Sequence, residues 1–139
     1  MKRIISLLLA LSLMFVFTAV TAIAADDAVK IGIILVHDEN TGYDYAHIMG
    51  IEAAAEATGI SADQIIWKYN IEQDETCYDT ATDLVDQGCS YIFSDSYGHE
   101  SYMYQAASEN PDTVFIAMTG DRGALSGLTN LKNAFNYTY

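Results

Sequence analysis

The sequence predicts an α/β fold, a doubly wound parallel sheet of strand order 2-1-3-4-5 with helices on both faces. Three observations carry this expectation. Short runs rich in Val, Ile and aromatics alternate with helix-period segments about every fifteen residues, the rhythm of β-α-β units. The first run, Lys30 to Val36 (KIGIILV), is apolar throughout, as a strand covered on both faces should be. Glycines stand at the ends of two helical segments, Gly59 and Gly88, where a left-handed residue closes a helix. Right-handed crossovers then reduce the possible topologies to the flavodoxin-like order.

The elements follow in turn. After the first strand comes a turn-rich stretch, His37 to Gly42, and an Ala-rich helix from about Tyr43 to Thr58. Thr41 and Asp44 fit the helix-start pattern of a hydroxyl followed three residues later by an acid. Ala46, Met49, Gly50, Ala53, Ala54 and Ala57 share one face of that helix and are expected to lie close against the sheet. Gln64 to Tyr69 (QIIWKY) reads as the second strand and belongs at the edge, with the first strand central. Asp74 to Gln87 reads as the second helix, capped by Asp74, with Cys77, Ala81, Leu84 and Val85 facing inward. Ser90 to Phe93 is the third strand, Gly98 to Glu109 the third helix, Thr113 to Met118 the fourth strand, and Leu128 to Leu131 a weak fifth.

The amino terminus has the three parts of a secretory signal peptide. Met1-Lys2-Arg3 is basic, Ile4 to Val20 is uncharged, and Ala22-Ile23-Ala24 supplies the small residues of a cleavage site before Asp26-Asp27. The expected division is therefore a signal peptide over 1–24 and one lobe over 25–139. No Cys stands at the cleavage point to carry a lipid. All 19 Asp and Glu lie beyond Ala24, against Lys30, Lys68, Arg122 and Lys132 as the remaining fixed cations. A surface this acidic repels phosphate backbones, which excludes a nucleic-acid polymer as partner. The chain ends at Asn136 to Tyr139 without a helix after the fifth strand, and is read as truncated. Asn136-Tyr137-Thr138 is a glycosylation sequon by pattern only.

Open parallel sheets bind ligands at the carboxyl ends of their strands. Here those ends read His37 to Asp44, Tyr69-Asn70, Ser94 to His99 and Thr119 to Asp121, where hydroxyls, carboxylates and rings gather. Such a set suits a neutral, ring-shaped, hydroxyl-bearing solute. The candidate ligand-binding residues are Asp38, Tyr43, Asp44, Ser94, Asp95, Ser96, Tyr97, Gly98 and Thr119. Asp38 and Ser96 have the competing role of helix caps, and Tyr43 that of a ring packed on the rim. His37, His47 and His99 follow no metal-ligand spacing, so no metal is expected. The sequence contains neither a nucleophile elbow nor a phosphate loop, so neither catalysis nor a cofactor is expected. An exported hydrolase and a ligand-sensing surface module remain the alternative classes.

The two cysteines are expected to be free. Cys77 opens the second helix and Cys89 lies beyond its far end. Roughly 15 Å of helix separates them, whereas a disulfide tolerates about 7 Å between Cα atoms.

Several segments together resemble the basic membrane protein (Bmp) family of ABC-transporter solute-binding proteins. They are Gly42 to His47 at the head of the first helix, Ile66 to Asn70 on the second strand, Asp74 to Ala81 opening the second helix, and Ile92 to His99 closing the third strand. The resemblance spans about residue 30 to residue 139. It implies a type I periplasmic-binding-protein fold, two lobes closing on a solute and delivering it to an ABC permease at the membrane. It also implies purine nucleosides or bases as ligands, held between rings from both lobes. Tyr43 would be the first-lobe ring, with Asp38 and the Ser94 to Gly98 turn as polar contacts. The chain departs from the family in lacking a second lobe and the lipid-bearing Cys that many members carry.

Overall fold

A computed structural model describes residues 29–134. The signal-peptide reading (1–24) and the sequon at Asn136 fall outside them. Five strands, β1 (Ile31–Ile34), β2 (Ile65–Lys68), β3 (Tyr91–Ser94), β4 (Val114–Met118) and β5 (Leu131–Ala134), form one sheet of order β2-β1-β3-β4-β5. Every pairing is parallel, and Ile33 of β1 stands opposite Trp67 on one side and Phe93 on the other. The predicted topology is the observed one.

One face of the sheet carries two helices, α2 (Glu75–Asp86) and α3 (Glu100–Glu109). Ile34, Ile92, Phe115 and Leu131 from the strands pack there against Leu84 and Ala81 of α2 and Met103 and Ala106 of α3. Each large side chain buried this way contributes about 1.5–3 kcal/mol. The approach of α2 is close enough to demand glycine below it. A Cβ on Gly32 would stand 2.7 Å from Leu84 Cδ1. Asp74 caps α2 as expected, its side chain accepting from the Thr76 N–H at 2.9 Å. Both thiols lie in this layer, buried and unbridged.

Among the described residues, the opposite face carries α1 (Gly42–Thr58) alone. Gly59 terminates it in a left-handed conformation, φ 75°, with the Ile60 N–H returning to the Ala55 carbonyl. The expected inward face of α1 is wrong. Ala46, Met49, Gly50, Ala53, Ala54 and Ala57 are exposed, and Asp44, His47, Ile48 and Ile51 turn inward instead. The alanine face is a poor guide, because a methyl group buries little apolar area and is tolerated in water. The few large aliphatics decide the orientation because they remove most apolar area from water.

Other corrections are local. β5 begins at Leu131, where the expected fifth strand ended. The third helix is preceded by a separate 3-10 turn, Tyr97–His99, and a four-residue helix α4 (Arg122–Leu125) was not foreseen.

The carboxyl edge of the sheet as candidate functional site

The strand ends are tied together by two buried acids. Asp44, in the first turn of α1, is fully buried and receives the His37 N–H at 2.8 Å and the Thr41 hydroxyl at 2.6 Å. His37 Nδ1 approaches the same carboxylate at 3.3 Å. The Thr41–Asp44 pattern therefore marks the helix start correctly, but the hydroxyl donates to the acid rather than capping the backbone. Asp95, one residue past β3 and 1% exposed, accepts the Val36 N–H at 3.2 Å. The Tyr43 hydroxyl donates to the Asp95 carbonyl at 2.6 Å. One cluster thus joins the end of β1, the head of α1 and the end of β3.

The acids are held in opposite protonation states. Burial first, and the neighbouring Asp44 charge second, push the Asp95 carboxyl up to about 8. Burial also acts upward on Asp44, but donors from Thr41, the His37 backbone, Asp95 and the His37 ring outweigh it and hold Asp44 below its ordinary value. Burial keeps His47 and His99 below the usual imidazole value. His99 Nε2–H donates to the Ile71 carbonyl at 3.0 Å, which fixes the tautomer and leaves Nδ1 as an unpartnered acceptor. Ser94 Oγ is likewise buried without a hydrogen-bond partner, and no N–H or hydroxyl from the rest of the protein reaches Asp95 Oδ2.

Around this buried base stand the accessible groups. Asp38 is half-buried and accepts from the Asn40 N–H at 2.9 Å and its side-chain amide at 3.0 Å. Ser96 Oγ accepts the Gly98 N–H at 3.2 Å, and the Tyr97 ring between them is 68% exposed. The polypeptide is in unusual conformations here. Asn70 and Thr119, ending β2 and β4, have φ of 57° and 67°. Non-glycine residues in that region cost of order 1 kcal/mol or more and concentrate at binding and catalytic sites.

All nine sequence-predicted residues lie along this edge, in two layers: Asp44, Ser94 and Asp95 form the buried base, while Asp38, Tyr43, Ser96, Tyr97, Gly98 and Thr119 are reachable. Sequence reasoning missed Glu100, which is 4% exposed and braces the far end of the edge. Its carboxylate accepts the Arg122 N–H at 2.6 Å and the Asn133 amide at 3.2 Å. Gly120 passes so close that a Cβ there would strike the Glu100 carboxylate. An acid in the first turn of a helix is too ordinary to have been noticed. Among the described residues, no three of His, Cys, Asp and Glu are grouped to hold a metal ion.

A second concavity adjoins this edge at Tyr43. An open groove of about 850 Å³ runs between α1 and the sheet, lined by Ile31, Ile33, Ile51, Phe93 and Met118 among others. Tyr43 and His47 stand along it, their rings 4.7 Å apart in an edge-on contact.

No protein-family model and no characterised protein matches the sequence. Among solved structures, an ABC-transporter solute-binding protein from Conexibacter woesei superposes with a TM-score of 0.65 at 19% identity. The match covers 78% of this chain and 35% of that one. The fold is periplasmic-binding-protein-like. This chain spans about a third of that protein's length, and the shared part is the parallel α/β domain described above.

Proposed function

We propose that the chain is the solute-binding lobe of an extracytoplasmic receptor serving an ABC importer, with purine nucleosides or their bases as solutes. The observation that carries the reading is a coincidence of place. On a fold shared with a solute-binding protein, the accessible polar groups and the left-handed residues gather at the edge where parallel sheets bind ligands. The Bmp resemblance of Gly42 to His47 and Ile92 to His99 adds the choice of solute, and both segments lie at that edge.

In this reading Tyr43 and Tyr97 offer ring faces, and Asp38, Ser96 and Thr119 offer hydrogen bonds to ribose hydroxyls and ring nitrogens. Asp44 and Asp95 act on the solute through the loops they hold. The role is capture and release rather than chemistry, with the permease as the second partner. Full affinity requires a second lobe to close over the ligand, so the chain alone binds weakly, each lost tenfold corresponding to about 1.4 kcal/mol.

Calorimetry with adenosine, guanosine and hypoxanthine on a completed two-lobe receptor tests the solute. Tight binding of at least one is the expected result. Tight binding of a sugar or an amino acid, with no purine bound, overturns the purine assignment.

A further inference from the structure

We propose that Asp44 and Asp95 form a one-proton latch that fastens the loop between β1 and α1 to the end of β3, and that removing the proton loosens this loop. The geometry leads there directly. Both carboxyls are buried on the N–H groups of adjacent residues, Asp95 on Val36 at 3.2 Å and Asp44 on His37 at 2.8 Å, within range of a hydrogen bond between their side chains once one of them carries a proton. Two carboxylates could not make such a bond, because neither would hold a hydrogen to donate. Asp44 already receives donors on both oxygens, from the His37 N–H on Oδ1 and the Thr41 hydroxyl on Oδ2. Asp95 receives the Val36 N–H on Oδ1, while its Oδ2 has no donor from the rest of the protein. A proton on Asp95, directed at Asp44, satisfies the orphaned acid and leaves a single buried charge.

The groups around the pair do not offset a second charge. From the β1–α1 loop comes His37, whose side chain is 59% exposed, and from α1 comes His47. The turn after β3 brings His99. Burial favours the neutral form of both His47 and His99. From α2 comes Cys77, a thiol pushed up to about 12 chiefly by burial, and from its cap Asp74, a further negative charge. The Tyr43 hydroxyl is engaged with the Asp95 backbone carbonyl. Ionising Asp95 therefore sets two carboxylates against each other beneath the loop that carries Asp38.

The sign of the pH dependence follows. Asp95 binds its proton more tightly in the fold, up to about 8 against 3.8, so its contribution to stability is fully present below 3.8 and is lost as pH rises to about 8. Asp44 runs the other way, its contribution present above 3.8 and lost as pH falls through its lowered value. Between these limits the pair holds one proton. A dependence of solute affinity on the latch rests on the solute-binding reading; titration of the pair does not, so the two ideas fail separately.

The test compares the chain with its Asp95→Asn variant, which keeps a donor toward Asp44 at every pH. Denaturation between pH 5.5 and 7.5 is expected to show the folded-to-unfolded ratio of the wild type falling relative to the variant by about tenfold per pH unit, one proton's worth. Parallel profiles overturn the latch. If the variant does not fold, carboxyl 13C NMR of the wild type decides. A midpoint for Asp95 above 7, shared by the Val36 and His37 amide shifts, supports the latch, and a midpoint near 4 overturns it.

Discussion

The groove beside α1 and the carboxyl edge of the sheet both have room for a ligand, but they are made of different material. The groove walls are Ile31, Ile33, Ile51, Phe93 and the small residues of α1. Among the described residues fewer helices cover this face of the sheet than the other, which leaves such a groove with no function needed to account for it. The edge places two carboxyls in the interior and holds Asn70 and Thr119 in costly conformations. Burying those acids and holding those conformations costs free energy that the fold must offset elsewhere. A site is better recognised by polar groups that folding must tolerate than by the volume of a depression.

Substitutions can break this contrast. The largest effect is expected in the covered core, where Phe115→Ala should cost about 3–5 kcal/mol. Phe93→Ala, on a half-buried groove wall, should cost about half as much, because its cavity opens to water. Urea midpoints of the two variants check this, and equal losses would mean the groove is as closed as the core. Next comes Asp44→Ala, which strands the His37 N–H and the Thr41 hydroxyl and should cost about 2–4 kcal/mol in the same assay. Glu100→Gln keeps an acceptor for the Arg122 N–H and should cost only about 1 kcal/mol. At the bottom of the scale, Tyr97→Ala should change stability by less than about 0.5 kcal/mol. By calorimetry on the two-lobe receptor, the same change should weaken purine binding about tenfold or more.

The sheet was legible because its strands are short apolar runs between unambiguous stops, and crossover handedness left one order for them. The orientation of α1 was not, since the face of Ala46, Ala53, Ala54 and Ala57 competes with that of Ile48 and Ile51, and only the larger aliphatics gain much from burial. The edge residues were legible as a group because strand ends could be read from the strands. Their division into layers was hidden. Nothing in the sequence says that Asp44 and Asp95, fifty-one positions apart, turn toward each other while Asp38 stays accessible. Glu100 escaped for the same reason, its partners Arg122 and Asn133 being brought to it only by the fourth and fifth strands.

The account turns on where a solute touches the protein. Titrating adenosine or guanosine into 15N-labelled chain at millimolar concentration, and following the amide shifts, locates that contact even when binding is weak. The edge predicts shifts confined to Asp38 to Tyr43, Asp95 to Gly98 and Thr119 to Gly120. Shifts at Ile51, Ala54, Phe93 and Met118, with the strand ends unmoved, would place the ligand in the groove and contradict the account.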